Sequence, residues 1–227
     1  MIVFAPGLNE DPPPYQPLLH DWAQAGFVVA ATTFPVTSPS VPNTGDKERD
    51  LPNQPYDVKF LIDSLSAAAA NPSDPLHPLI DPAEIALSGQ SDGGNTTVAT
   101  SYNTAYQDNR IKAAVVLSGA RYGYPGGTWF PAGSPPLLAT QGTADTTNPP
   151  SLTNDFFTAD PLTNKYLVCL QGAPHLDPYA TRDNYERVVA QVSSNFLYTE
   201  LYHLPGSLQA MMQAGTGAGV ATFASRC

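Results

Sequence analysis

Positive charge, cysteine and long apolar runs are all scarce in this sequence, and each scarcity excludes a class of protein. The 227 residues include ten Lys and Arg against twenty Asp and Glu, so the formal net charge is −10. Nucleic-acid binding depends on neutralising phosphates, and anionic membrane surfaces attract basic segments, so the charge disfavours both. No apolar run approaches the roughly 20 uncharged residues that a membrane-spanning helix requires. We therefore expect no nucleic-acid partner and no membrane insertion.

Cysteine is limited to Cys169 and Cys227, which are too few for a disulfide scaffold and lack C-x-x-C spacing. Cys169 lies in an apolar run, where a buried thiol acting as a small hydrophobe is the simplest interpretation. Cys227 is the last residue of the sequence and would suit a disulfide that holds the tail of a secreted protein. The sequence names no partner for it, so the presence of a disulfide stays open at this point.

Residues 1–7 lack the basic segment and the long apolar core of a secretory signal peptide. A cytoplasmic location is the default expectation, and a secreted protein whose N-terminus is missing is the alternative.

Hydrophobic residues make up 42% and charged residues 13%, a composition typical of a globular chain. The 24 prolines fall between apolar runs, and no repeat or linker interrupts them. We expect one domain over residues 1–227, of undefined oligomeric state.

Short apolar runs alternate along the chain with segments of helical periodicity. Apolar stripes at helical spacing surround Leu18, Val58 and Val188, and Asp183 and Glu186 open the last of them at capping-box spacing. Most of the short runs are apolar at consecutive positions, as in parallel strands covered on both faces. The pattern predicts an α/β protein with a mostly parallel central sheet of about six strands flanked by helices. The six predicted strands are Ile2 to Phe4, Phe27 to Ala31, Glu84 to Leu87, Ala113 to Leu117, Leu137 to Thr140 and Tyr166 to Leu170.

A nucleophilic serine is indicated by a G-x-S-x-G motif formed by Gly89, Ser91 and Gly93. The motif follows the third predicted strand and precedes a segment, 96–102, that can continue as a helix. In hydrolases such a serine lies on a sharp, strained strand-to-helix turn where neighbouring side chains would clash. The alternative is a Gly/Ser turn that only caps a helix. The context favours the catalytic interpretation, because ligands bind at the carboxyl ends of the strands in such sheets.

The serine needs a base, and the base needs a carboxylate to orient it. Among the four histidines, His175 follows the sixth predicted strand and so lies at the same edge of the sheet as Ser91. Asp145 is the only carboxylate in the loop after the fifth strand. Asp177 is the runner-up, but it lies two residues from His175 and is better placed to cap the next helix. The order Ser91, Asp145, His175 is the one expected of the α/β-hydrolase fold.

Two backbone amides are expected to stabilise the negative charge that develops on the substrate oxygen. One belongs to Asp92, the residue after the serine. The other is assigned to Leu8, in the turn Pro6-Gly7-Leu8-Asn9 that follows the first strand. An ordinary Pro-Gly turn is the alternative for this segment.

Substrate contacts are predicted in the aromatic, Gly-rich segment 121–130. It follows the fourth strand, and Tyr124 and Trp129 are the predicted substrate-binding residues because their rings could stack on an aryl or acyl group. The alternative is that these rings pack down onto the sheet. No insertion between the strands is long enough for a large lid, and an open cleft suits short-chain, aromatic or even polymeric esters.

Together these segments resemble the α/β-hydrolases that include dienelactone-hydrolase-like esterases, platelet-activating-factor acetylhydrolase-like enzymes and cutinase-type polyester hydrolases. The resemblance implies a serine carboxylesterase with Ser91, Asp145 and His175 as its triad, Leu8 and Asp92 as oxyanion donors, and no metal or organic cofactor. It covers nearly the whole chain, through segments 5–8, 25–30, 57–63, 80–85, 89–94, 142–145, 172–178 and 195–198.

The sequence departs from this family in three ways. The two strands that usually come before the one at Met1 have no counterpart here, so the sheet edge is expected to be covered differently. Gln90 and Asp92 stand where many relatives have His or Trp and an apolar residue, and an acidic side chain beside the nucleophile disfavours anionic substrates. Ser91 stands where true dienelactone hydrolases have cysteine, which argues against their substrate.

Two other functions stay open from the sequence. The same machinery would cleave amides in a serine amidase or peptidase, although no propeller or peptide-specificity segment accompanies the core. A non-catalytic binding protein of the same fold is the second alternative, although such proteins usually lack a triad residue. Comparing the hydrolysis of a p-nitrophenyl ester with that of the matching anilide distinguishes an amidase or peptidase from an esterase. A folded chain that turned over no ester would favour the second.

Overall fold

Seven strands form one sheet in the computed structural model, which describes residues 1–42, 45–216 and 219–227. The sheet order is β2-β1-β3-β4-β5-β6-β7; the first six strands run parallel, and β7 pairs antiparallel with β6. The strands are β1 Ile2–Ala5, β2 Val29–Ala31, β3 Ile85–Gln90, β4 Ile111–Leu117, β5 Leu137–Gly142, β6 Lys165–Leu170 and β7 Ala221–Phe223.

Helices cover both faces of the sheet. Helices α1, α5, α6 and α7 pack on one face, and α2, α3 and α4 pack on the other. Short 3-10 segments at Pro13–Tyr15 and Lys47–Asn53 precede α1 and α2. The helices are α1 Gln16–Gln24, α2 Gln54–Ala70, α3 Asp92–Tyr102, α4 Pro150–Ala159, α5 Asp177–Ala180, α6 Asn184–Glu200 and α7 Ser207–Ala214. None of these described helices is both long and apolar enough to span a bilayer.

Burial on both faces explains why the strand residues are apolar at consecutive positions. In β1, Ile2 and Phe4 contact the layer that contains Trp22, whereas Val3 and Ala5 contact the layer that contains Ile62. Successive side chains of a strand point to opposite faces, so a strand between two helical layers needs apolar residues throughout. The prediction of an α/β protein with a mostly parallel, helix-flanked sheet is confirmed.

The sequence predicts about six strands, whereas the described chain has seven. β7 has three residues, of which only Ala221 is buried, so it carries no apolar run that could be recognised in the sequence. The predicted start of α6 is confirmed, because the Asp183 side chain accepts hydrogen bonds from the backbone amides of Tyr185 and Glu186. The extent of the domain stays a prediction.

The two cysteines form a disulfide that attaches the C-terminal residue to β6. The Cα atoms of Cys169 and Cys227 are 5.3 Å apart across a sequence separation of 58 residues. Cys227 also exchanges backbone hydrogen bonds with the side chain of Asn154 in α4. The disulfide therefore holds the tail against the helix that follows the Asp145 loop.

Candidate active site

Ser91 lies at the sharp turn between β3 and α3. Its backbone has φ +56° and ψ −122°, a strained conformation for a residue with a side chain. A Cβ on Gly89 would lie 2.1 Å from the backbone oxygen of Gly93, so the turn needs glycine there. The local sequence thus places a partly exposed serine at the carboxyl edge of the sheet.

His175 and Asp145 are hydrogen-bonded to each other at the same edge. The imidazole Nδ1 lies 2.7 Å from Asp145 Oδ2, and the aspartate is almost fully buried. Burial opposes ionisation of Asp145, but the hydrogen bonds from His175 and from the Asn148 amide outweigh it and lower the pKa of the carboxyl. An ionised Asp145 fixes the tautomer in which Nδ1 carries the proton and Nε2 is free to accept one.

Asp145 is held by two backbone amides and one side chain that the motif did not indicate. Its Oδ1 accepts from the amides of Thr147 and Asn148 at 2.9 and 2.8 Å, and its Oδ2 accepts from Gln141 Nε2 at 3.2 Å. Gln141 is oriented in turn by the Thr153 hydroxyl, which donates to its Oε1 at 2.7 Å. The carboxylate therefore has partners on both oxygens.

Ser91 and His175 line one cavity of about 290 Å³. Within the described residues, however, no hydrogen bond joins the Ser91 hydroxyl to the imidazole. The Gln90 side-chain nitrogen instead lies 3.2 Å from His175 Nε2 and donates to the His175 carbonyl at 3.1 Å. In this arrangement the imidazole Nε2 is paired with Gln90 and not with the Ser91 hydroxyl.

Gln90 also connects the histidine loop to the loop after β1. Its Oε1 accepts from the Tyr15 hydroxyl at 2.8 Å, and that hydroxyl accepts from the Gly7 amide at 3.2 Å. Burial raises the pKa of the Tyr15 phenol, which therefore stays a donor. In the sequence, Gln90 stands out only as a departure from a family pattern, and no motif indicates Tyr15.

The two predicted oxyanion amides are both without a protein acceptor. In the described chain, neither the Leu8 nor the Asp92 amide donates a hydrogen bond to another protein atom. A Cβ on Gly7 would lie 3.2 Å from Ser91 Cβ, so the loop that carries Leu8 is in contact with the nucleophile. Two unpaired amides beside the serine suit an incoming oxygen that gains negative charge.

The predicted substrate-binding residues Tyr124 and Trp129 do not line this cavity. Tyr124 is buried, its hydroxyl lies 2.7 Å from Thr96 Oγ1, and its ring contacts Tyr106 edge-on. Trp129 packs between the two clusters on the α3 face, next to Phe130. Their role in substrate binding stays a prediction. Their positions agree with the alternative interpretation, in which the two rings pack inward.

Other predicted features of the site are placed as follows. Tyr122, from the same aromatic segment, does line the cavity. Asp177 lies in the first turn of α5 and makes no hydrogen bond to His175 within the described residues. Among those residues, no group of three or more His, Cys, Asp or Glu could hold a metal ion.

Comparison with known proteins adds no family to these observations. No protein-family model matches the chain, and no curated protein matches its sequence. What supports a function is therefore the set of contacts around Ser91, Asp145 and His175.

Proposed function

We propose that this protein is a serine carboxylic-ester hydrolase of the α/β-hydrolase fold that acts through an acyl-enzyme. The observation that carries the proposal is the hydrogen bond of buried Asp145 to His175, which lines the same cavity as Ser91, a serine with φ +56° at a strand-to-helix turn. These are the three groups of nucleophilic acyl transfer, and they follow three strands of the same sheet, β3, β5 and β6.

The first half of the cycle forms the acyl-enzyme. Ser91 Oγ attacks the ester carbonyl carbon while His175 Nε2 takes the serine proton, and Asp145 stabilises the resulting imidazolium. The Leu8 and Asp92 amides donate to the carbonyl oxygen as it becomes negative. His175 then gives the proton to the departing alcohol oxygen, which leaves the acyl group on Ser91.

The second half releases the acid. His175 takes a proton from water, the hydroxide attacks the acyl carbon, and the proton returns to Ser91 as the carboxylic acid leaves. In each half of the cycle, His175 first accepts a proton as the neutral imidazole and then donates it as the imidazolium. Gln90 holds the imidazole before substrate binds, and its hydrogen bond to the His175 carbonyl keeps the loop in place while Nε2 turns to the serine.

The size of the cavity supports a small substrate. Its volume of about 290 Å³ lies at the lower end of the range for ligand pockets, roughly 300–1,000 Å³. A short acyl chain or one aromatic ring fits such a volume. A longer or polymeric ester would place only the segment around the scissile bond inside it.

Active-site labelling tests the proposal directly. The purified protein is treated with a fluorophosphonate, the adduct is located by peptide mass spectrometry, and hydrolysis of p-nitrophenyl acetate and butyrate is measured. We expect an adduct on Ser91, with labelling and turnover lost in Ser91→Ala and turnover lost in His175→Ala. Ser73→Ala and His203→Ala, at exposed positions, are the matched controls, and both variants should keep the labelling and the turnover.

The same assay separates the alternatives. Comparison of p-nitrophenyl butyrate with the p-nitroanilide of butyric acid distinguishes an esterase from an amidase. A folded protein, shown by circular dichroism, that takes no label and hydrolyses neither compound would overturn the proposal and favour a binding protein.

A further inference from the structure

The cavity beside Ser91 is lined by carboxylates and by no Lys or Arg side chain of the described chain. Glu10, Glu48 and Asp92 come from three separate segments and all face it. Their charges create a negative potential in a confined space, where it acts more strongly than on an open surface. The potential favours a positively charged ligand.

Among these three carboxylates, Asp92 is the one with a buried oxygen that has no partner within the described residues. The residue is only 4% exposed, and its Oδ2 is buried without a hydrogen-bond partner. Its Oδ1 accepts from Asn95 Nδ2 at 3.2 Å and lies 3.5 Å from the Tyr122 hydroxyl, which is a weak contact. Because this oxygen has no partner among the described residues, the negative charge of an ionised Asp92 is only partly compensated by the protein.

Neighbouring cations do not neutralise this cluster. Lys47, adjacent to Glu48, is buried and donates its protons to Asn9 Oδ1 and to the carbonyls of Ser38 and Val41. Arg121, adjacent to Tyr122, pairs with Asp155 at 2.9 Å. The three carboxylates also do not form a metal-binding group within the described residues.

We propose that the substrate of this site is an ester that carries a cationic group, such as a quaternary ammonium, which Asp92 and Glu48 bind beside the scissile carbonyl. The inference rests on the proposed esterase function and names its substrate class. An anionic Asp92 next to the oxyanion amides opposes the negative charge that develops on the carbonyl oxygen. A substrate cation seated against Asp92 cancels that effect, so the site favours cationic over neutral esters.

The pH dependence of the preference follows from Asp92. Burial and the nearby Glu48 raise the pKa of Asp92 to about 6, while Tyr122 and His175 act in the opposite direction. Tyr124 is the other titratable group whose charge couples to it. The preference for the cation should therefore increase as pH rises through about 6, when Asp92 ionises. The need for a neutral His175 is common to both esters and cancels in their ratio.

The experiment compares esters of equal shape and different charge. Acetylcholine and 3,3-dimethylbutyl acetate place the charge in the alcohol, and betaine ethyl ester and ethyl 3,3-dimethylbutanoate place it in the acyl group. The readout is the ratio of kcat/KM for the cationic and neutral members of each pair. We expect the wild-type ratio to fall by about tenfold to a hundredfold in Asp92→Asn for at least one pair, because the attraction between a carboxylate and a cation about 4 Å apart lies between its value in water and its value at a protein surface.

Two further variants separate a local effect from a change in net charge. Glu48→Gln, at an exposed position, should lower the ratio less than Asp92→Asn does. Asp63→Asn removes the same charge from a residue that pairs with Arg110 away from the cavity, and it should leave the ratio unchanged. Circular dichroism confirms that each variant is folded.

Binding of tetramethylammonium, measured by calorimetry on the wild type and on Asp92→Asn, separates failure of this inference from failure of the esterase proposal. Ester turnover with ratios that Asp92→Asn and Glu48→Gln do not change would overturn the cation site and leave the esterase standing. Absence of turnover, with tetramethylammonium bound only by the wild type, would overturn the esterase and support the cation site. Absence of both turnover and tetramethylammonium binding would overturn both.

Discussion

Replacement of Gly93 by alanine should damage the protein more than the same change one residue later. Gly93 lies in the first turn of α3, where the helix crosses the end of β1. A Cβ at this position would lie 1.9 Å from the Ala5 carbonyl oxygen and 2.6 Å from the Pro6 oxygen, whereas real Cβ atoms stay beyond 3.0 Å. Both obstacles are backbone atoms, so no side-chain rotation relieves the overlap and the helix must move away from the strand.

The magnitude follows from a comparison with Gly94→Ala. Both glycines are helical, so alanine brings the same propensity gain of about 1 kcal/mol to each. At Gly94 the nearest atom, Gly119 Cα, is also a backbone atom, but it lies at 2.9 Å, so the shift needed is about 1 Å smaller than at Gly93. Overpacking in a tight site costs about 1–3 kcal/mol. We expect Gly93→Ala to be less stable than Gly94→Ala by about 2 kcal/mol, or by about 4–8 °C in Tm for a chain of this size.

Catalysis should respond as well, because the displaced strand end leads directly into the loop of the Leu8 amide. Stability is measured by urea denaturation followed by circular dichroism, and kcat is measured with p-nitrophenyl acetate under folding conditions. We expect Gly93→Ala to lose at least tenfold in kcat, about 1.4 kcal/mol in the barrier, and Gly94→Ala to lose less. Equal stability and equal kcat in the two variants would refute the close approach of α3 to β1.

Three further predictions concern the triad acid, the disulfide and a buried glutamate. Asp145→Asn should lower kcat/KM for p-nitrophenyl acetate by about four orders of magnitude while the protein stays folded by circular dichroism; a loss below tenfold would exclude Asp145 as the orienting acid. Reduction of the Cys169–Cys227 disulfide, which spans 58 residues, should lower the free energy of unfolding by about 4 kcal/mol; urea denaturation with and without dithiothreitol measures this, and the Cys→Ser double variant should not respond to the reductant. Burial and the charge of Asp21 raise the pKa of Glu186 from 4.5 to about 7, so the native state keeps a proton that the unfolded chain releases at lower pH. The free energy of unfolding should therefore decline as pH rises through this range, and Glu186→Gln should lack the decline; parallel stability curves for the two proteins would contradict the shift.

Features encoded by neighbouring residues could be predicted from the sequence. Consecutive apolar residues predict strands covered on both faces, and the structure confirms a mostly parallel sheet between two helical layers. The G-x-S-x-G spacing predicts the strained turn at Ser91, because glycine is needed where the helix backs onto the strand. The short strand β7 was missed, since a three-residue strand with one buried side chain has no periodicity to recognise.

Contacts between distant residues could not be predicted in this way. Gln90 and His175 are separated by 85 positions, and Gln90 and Tyr15 by 75, yet these side chains meet in one network. The inward packing of Tyr124 depends on its hydrogen bond to the Thr96 hydroxyl in α3, which the aromatic, Gly-rich composition of its own segment does not reveal.

The sequence alone indicated the six parallel strands and the three residues proposed as nucleophile, base and acid, because short-range periodicity and the position of a loop after a strand are local properties. Only the tertiary structure decided which side chains surround Ser91. Glu10, Glu48 and Asp92 are far apart in the chain and become neighbours only through packing. Asp92 Oδ2 lacks a hydrogen-bond partner only because the fold buries it. Charge and hydrogen-bonding in a cavity are properties of the assembled fold, so the substrate class inferred here had to come from the structure.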